Sequence, residues 1–227
     1  MKRSEVNMIL KDTIEFLEQR NFYLPPFAFW TSKDWKSKGH EVDEIRDNLM
    51  GWDITDFGRG NFSKFGLVLF TLRNGNDSNP KYTKPYAEKI MIVEENQETP
   101  MHFHSKKMED IINRGGGNIL LKLYNSTDDK QLDKNASVRV SLDGVIKQFS
   151  PGEIITLTHG ESITLPQRLY HTFYAENGRG KVLMGEVSKV NDDKIDNHFL
   201  ETIGRFPEIE EDEEALHCLC FEYPKLD

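Results

Sequence analysis

Pro100-Met101-His102-Phe103-His104-Ser105-Lys106-Lys107-Met108-Glu109 places three metal-capable side chains within eight residues. In an extended strand successive side chains point to opposite faces, so His102 and His104 share one face and Phe103 takes the other. Two imidazoles on one face can share one ion. Glu109 lies five residues beyond His104, an odd offset, so it joins that face only if the chain shifts phase through a bend near Ser105 and Lys106. A further ligand must come from elsewhere. The candidate is His171, which follows Pro166-Gln167-Arg168-Leu169-Tyr170 and opens an aromatic run ending at Tyr174. Three neutral imidazoles and one carboxylate leave room on the ion for substrate, as a catalytic site requires. Such nitrogen and oxygen donors suit Mn²⁺, Fe²⁺, Co²⁺, Ni²⁺ or Zn²⁺, so the donor set does not choose among them.

The chain has 227 residues, enough for one large domain with a real core. A net charge of −9 and a pI near 5.3 argue against binding to a phosphate backbone, so no nucleic-acid partner is expected. The N-terminus lacks the apolar run of a secretory signal, and no apolar stretch is long enough to span a bilayer, so a cytoplasmic protein without a membrane partner is expected. Cys218 and Cys220 are separated by one residue and can close no long loop, which fits a reducing compartment.

From Ser4 to about Phe22, Val6, Ile9, Leu10, Ile14 and Leu17 recur at helical spacing, with Ser4 placed to cap the first turn. Tyr23 to Trp30 is apolar but broken by Pro25 and Pro26, so it should lie extended against the body of the protein. Beyond Gly51 the periodicity becomes strand-like. Short runs at 66–73, 88–94, 100–104, 107–112, 118–124, 136–142, 145–149, 153–157, 161–165, 169–175 and 181–189 predict an all-β sandwich or barrel. Asp143-Gly144 is a two-residue hairpin signal, and Gly115-Gly116-Gly117 marks another reversal. The acidic run Glu208 to Glu214 reads as a solvated helix face or loop. The expected division is a helical and extended segment over residues 1–65, a barrel over 66–190 and a covering segment over 191–227.

His-x-His-x4-Glu at 102–109 and Gly160-x5-Pro166-x4-His171 resemble the two sequence motifs of the cupin superfamily. The resemblance implies a mainly β double-stranded β-helix, or jelly-roll barrel, with His102, His104, Glu109 and His171 as metal ligands inside it. Two positions depart from the cupin pattern: Asn96 stands where a glycine is usual before the first motif, and Arg168 replaces a glycine in the second. The wider wording, Glu94 to His104, Lys107 to Gly117 and Gly185-Glu186-Val187-Ser188, is similar to the cupin-type D-lyxose isomerases over most of the chain. That resemblance implies Mn²⁺ and a monosaccharide substrate, D-lyxose first and D-mannose second. A cupin dioxygenase and a noncatalytic sugar-binding cupin are the competing classes. A sugar sensor would ordinarily carry a basic DNA-binding module, which is not visible here.

Aldose–ketose interconversion moves a proton between two adjacent carbons, and its base must sit beside the metal without being consumed as a ligand. Glu109 is therefore a poor base. Lys107, two residues before Glu109, shares its face in a regular strand and would donate a proton or stabilise the enediolate. Glu201, in Phe199-Leu200-Glu201-Thr202, is the favoured base, since apolar neighbours would raise its proton affinity; Asp193 and Glu211 come next. Lys89 and Asp193 are candidate hydroxyl-binding groups at strand edges, and Trp30 is a candidate cover for the barrel mouth. His40, His159, His198 and His217 lack ligand spacing and read as surface or structural residues. The N-terminal helix and the Pro25-Pro26 segment offer apolar surface outside the barrel, so a homodimer is expected.

Overall fold

The chain begins with a helix because its apolar residues fall on one stripe: α1 spans Arg3–Glu18 and buries Val6, Leu10 and Leu17 almost completely. Its cap differs from the expected one. The helix starts one residue before Ser4 and has no side-chain cap from its own N-cap residue. Asp212 from the far end of the chain accepts from the Ser4 amide at 2.8 Å and from its hydroxyl at 2.7 Å, so a remote carboxylate serves the first turn. Two short helices follow, α2 (Ser32–Lys36) and α3 (Asp43–Asp47), with Thr31 and Asp34 forming a capping box on α2.

The computed structural model describes residues 1–226 other than 191, 193–194 and 205–206. Its strands are β1 (Gly51–Thr55), β2 (Leu67–Arg73), β3 (Tyr86–Val93), β4 (His102–His104), β5 (Glu109–Gly116), β6 (Ile119–Ser126), β7 (Leu132–Asp133), β8 (Val138–Leu142), β9 (Val145–Phe149), β10 (Ile154–Leu157), β11 (Ser162–Leu165), β12 (Leu169–Ala175), β13 (Val182–Lys189) and β14 (Asn197–Phe199). One antiparallel sheet has the order β1-β2-β3-β13-β5-β11-β8-β9, the other β10-β6-β12-β4-β14, with β7 on β6. This is the mainly β jelly-roll architecture that the sequence predicts. β1 and β14 join the sheets from the segments before and after the strand-rich middle, where no strand was expected.

At β1, β2, β3 and β13 the larger sheet is buried on both faces, which explains the nearly continuous apolar runs in β2 and β3. Leu67, Leu69, Met91 and Met184 face the second sheet across the inner core. Val68, Phe70, Ile90, Ile92 and Leu183, with Trp52 and Ile54 of β1 beside them, face outward and are covered by α1. The apolar stripe of α1 is thus satisfied within the chain, and so is Phe27, which stacks on Phe70 at 5.4 Å. Each segment still exposes large apolar side chains, Met8 on α1 and Tyr23 and Phe29 beside the prolines. Further ones occur at Val145 and Ile146 on β9 and Ile154 on β10, two sheet-edge strands.

Asp143 and Gly144 both take positive φ, 49° and 82°, and close the β8–β9 hairpin as expected of an Asp-Gly turn. The triple glycine answers a different need. A Cβ on Gly116 would lie 2.3 Å from the Lys181 carbonyl oxygen, so only glycine lets the end of β5 cross the start of β13. Among the described residues no helix is long and apolar enough to cross a membrane.

The acidic run is an exposed loop, one of the two expected alternatives, and it also straps the start of α1. Glu210 exchanges backbone hydrogen bonds with Met1 and Arg3, each 2.9 Å. The buried Arg3 guanidinium pairs with Glu211 at 2.6 Å and Glu222 at 2.5 Å, and Asn7 donates to Glu213 at 2.6 Å. Hydrogen bonding to Arg3 lowers the Glu211 carboxyl below its ordinary value, and the Ser4 hydrogen bonds do the same for Asp212. Carboxylates depressed in the folded state contribute stability that is present above their unfolded values, about 3.9–4.3, and is lost as pH falls through the folded ones. The stability difference between wild type and Arg3→Ala, measured by urea unfolding, should therefore narrow as pH drops below about 4. A difference that stays constant from neutral pH to pH 3 would reject this role for the strap.

Candidate active site

His102 and His104 lie on one face of β4, and Phe103 packs on the other against Tyr170 and His198. Strand pairing sets His171 of β12 directly opposite His102. The three imidazoles consequently meet, with ligand-capable nitrogens all within 4.8 Å of one another. Glu109 completes the group through the phase shift that its odd offset demanded. The chain bends at Ser105 and Lys106, where the Asp196 carboxylate accepts from the Lys106 and Lys107 amides at 2.6 and 3.2 Å. Beyond the bend Lys107 and Glu109 both turn inward. Glu109 Oε2 lies 3.3 Å from His104 Nε2, and Oε1 lies 3.2 Å from His171 Nε2.

This cluster is built for a cation. The Nδ1–H groups of His102 and His171 donate to the carbonyls of Pro100 and Leu169 at 2.8 and 3.0 Å, which leaves each Nε2 as a bare lone pair. His171 Nε2 is buried, has no hydrogen-bond donor, and faces a carboxylate oxygen. Two acceptors opposed in a dry pocket repel, and a divalent ion between them removes that repulsion. Burial, reinforced by the neighbouring rings, holds His102 well below the ordinary histidine value, and burial followed by the Lys107 charge lowers His104. Neutral imidazole is the ligating form. Burial alone would raise Glu109, but Lys107 and the two histidines outweigh it and hold the carboxyl well below the usual range.

Beside the cluster runs a chain of buried charges. Lys107 Nζ sits 2.7 Å from Glu109 and 2.8 Å from Glu186 Oε1. Lys89 Nζ lies 3.4 Å from the same Glu186 oxygen, and the Ser188 hydroxyl donates to it at 3.0 Å. Two ammonium groups and two carboxylates thus balance in a site where all four side chains are 5% exposed or less. The cause is register. Thr71, Lys89, Glu186 and Ile111 form one cross-strand row on the inner face of the larger sheet, and Glu109 pairs with Ser188 in the next. Burial pushes the Glu186 carboxyl up, yet Lys107 and Lys89 more than offset this and lower it, so it stays ionised.

The cavity at the cluster holds about 50 Å³, room for a few waters, and carries apolar walls at Leu69, Met91, Phe173 and Phe199. A larger cleft of about 390 Å³, with Asp53, Thr71, Asn74 and Asp196 in its lining, shares Leu69 with it.

Several expected site residues stand elsewhere. Glu201 has 70% of its side chain exposed and pairs with Arg59 at 2.5 Å, so the apolar neighbourhood proposed for it is absent and it does not line the cavity. Glu211 belongs to the strap on α1. Trp30 packs edge-on to Trp35 at 5.0 Å, in an aromatic cluster outside the barrel rather than over its mouth. Lys89 is at neither a strand edge nor the surface; β3 lies between β2 and β13, and Lys89 is 3% exposed. Asp193 lies outside the described residues. His40 pairs with Asp43, His159 bonds the Gly116 carbonyl, and His217 meets the Phe29 ring, all away from the cluster. Glu186 is the functional candidate that sequence reasoning did not single out. The signal was present: a lone carboxylate in Val182-Leu183-Met184-Gly185-Glu186-Val187 has to be buried if the strand is central.

Comparison with known proteins identifies the family of the chain. The D-lyxose isomerase family model matches residues 1–223. A D-lyxose/D-mannose isomerase of Escherichia coli O157:H7 is 49% identical over 224 residues, 98% of each chain, and one of Serratia proteamaculans is 47% identical over the same coverage. Among solved structures, Cellulomonas parahominis L-ribose isomerase with L-ribose superposes at TM-score 0.60 with 16% identity. The enzyme from Geodermatophilus obscurus gives 0.59 with 16% identity, each alignment covering 92% of this chain and 98% of the other. These structural likenesses establish the cupin-type fold alone. The sequence matches span the whole molecule, including every residue of the cluster, and on them the chain belongs to the D-lyxose isomerase family and is a sugar isomerase.

Proposed function

We propose that the protein interconverts D-lyxose with D-xylulose, and D-mannose with D-fructose, by proton transfer through an enediol, with Glu186 as the base. The observation that carries this reading is a buried carboxylate, held ionised by two ammonium groups, beside a His₃Glu cluster of which it is not a member. The names of the two relatives favour these sugars, and D-lyxose and D-mannose share their configuration from C2 to C4, so one site can accept both.

His102, His104, Glu109 and His171 would hold a divalent ion. The family resemblance favours Mn²⁺, while the donors themselves also suit Zn²⁺, Co²⁺, Ni²⁺ or Fe²⁺. Such an ion supplies Lewis-acid polarisation of the sugar carbonyl. The protein's own groups do the rest. Glu186 takes the C2 proton of the aldose, the C2 electron pair forms a C1–C2 double bond as the C1=O π pair moves onto O1, the O2 proton passes to O1, and the same carboxyl returns its proton to C1 as the O2 electron pair closes the C2 carbonyl. Lys107, in contact with both Glu109 and Glu186, compensates charge developing on the substrate oxygens. Lys89 keeps Glu186 ionised and oriented. Phe57 and Phe199, which meet edge to face at 6.2 Å, give the cavity an apolar wall.

Glu186→Gln keeps the side chain's size but removes its basicity. It should lower kcat by about 10²-fold or more with metal content unchanged, and should abolish deuterium incorporation from D₂O beside the carbonyl. Near-normal turnover would clear Glu186 of this role. His171→Ala should reduce metal content, read by elemental analysis, as strongly as His102→Ala, and chelation should silence the wild type until a divalent ion is restored; undiminished stoichiometry in the variant would remove His171 from the site. Lys89→Met takes away one of the charges that lower Glu186, so the acid limb of the kcat/KM profile should move to higher pH. A profile that does not move would show that Glu186 is not the group titrating there.

A further inference from the structure

Two of the three clustered imidazoles have their outer nitrogen committed to a backbone carbonyl two residues upstream, Pro100 for His102 and Leu169 for His171. His104 has no such anchor. Its Nδ1 is buried without a hydrogen-bond partner, and an oxygen of the Asp196 carboxylate stands 3.8 Å away. Its inner Nε2 stands 3.3 Å from Glu109, so one ring lies between two carboxylates. A neutral imidazole carries a single ring proton. On Nε2 that proton is donated to Glu109 and the ring offers no lone pair to the cluster; on Nδ1 it points toward Asp196 and Nε2 becomes a ligand.

Asp196 is itself held rigidly. It is 5% exposed, its carboxylate accepts the Lys106 and Lys107 amides, its carbonyl accepts the Ser105 amide at 3.0 Å, and its own amide donates to the Asp192 carbonyl at 3.0 Å. One residue therefore carries both the bend that brings Glu109 inward and the carboxylate facing the outer side of His104.

We propose that Asp196 is a positioning residue that selects the Nδ1–H tautomer of His104 and thereby makes its Nε2 available to the cation. This rests on the metal-site reading above. The net negative charge on the outer side of the ring is what matters, so Asp196→Asn, which can still accept an amide hydrogen bond at the bend, separates the tautomer role from the structural one. With Mn²⁺ alone as the probe, competition against a chelating indicator should show affinity about 10–100-fold weaker in Asp196→Asn than in wild type. Hydrogen exchange at the Lys106 amide, whose 2.6 Å bond the remaining Asn oxygen can still accept, should be unchanged in that variant and accelerated in Asp196→Ala. A second measurement needs no variant: in wild type loaded with diamagnetic Zn²⁺, ¹⁵N NMR should find the His104 ring proton on Nδ1. Wild-type affinity in Asp196→Asn, weakened affinity accompanied by lost amide protection in that variant, or a His104 ring without an Nδ1 proton would each overturn the inference. Wild-type protein that takes up neither ion would instead sink the metal-site reading on which it stands.

Discussion

The site depends on charge balance in a place where water is excluded. Glu109, Lys107, Glu186 and Lys89 form an alternating line across the inner face of the larger sheet, with contacts of 2.7, 2.8 and 3.4 Å. An isolated buried ion costs several kcal/mol, whereas four that alternate in sign and touch in sequence largely satisfy one another. The arrangement also sets chemical roles. Glu109 at one end faces two histidine nitrogens and is committed to the cluster, while Glu186 lies between two ammonium groups and remains an ionised carboxylate available for proton transfer. The same two residue types are given different functions by their neighbours alone.

That line exists only because of where two strands lie. β13 runs between β3 and β5, so Lys89, Glu186 and Ile111 fall in one row. β4 pairs with β12, so His171 arrives beside His102. The turn at residues 105–107 then carries the chain from the smaller sheet to the larger one, and its bend converts an odd sequence offset into a shared face. The four candidate ligands come from three strands in two sheets. Such a site is held by the sandwich as a whole, and no local segment contains it.

The outer layer gives the larger sheet its rigidity. β2 and β3 are covered by α1 on one side and the inner core on the other, and the C-terminal acidic strap fixes the start of α1 through Arg3, Ser4 and Asn7. Lys89 lies on β3, with Ile90 beneath α1 as its immediate neighbour. The buried stripe of α1 thus supports the sheet that carries the row of buried charges.

The sequence by itself determined the fold class, because strand periodicity, the Asp143-Gly144 turn and the glycines at 115–117 are local signals whose geometry follows from sterics. It also determined the His102, His104, Glu109 and His171 constellation, since spacing on a strand and a recurring pair of motifs are written in one dimension. The proposed base was not legible in the same way. Glu201 and Glu186 each stand among apolar neighbours in the sequence, and nothing local says that one strand ends at the surface beside Arg59 while the other passes through the centre of a sheet. Strand order decided that difference. Lys89 was misjudged for the same reason: whether a lysine is solvated or buried against a carboxylate depends on its cross-strand partner, and pairing between residues 89 and 186 is a long-range fact that only the tertiary structure supplies.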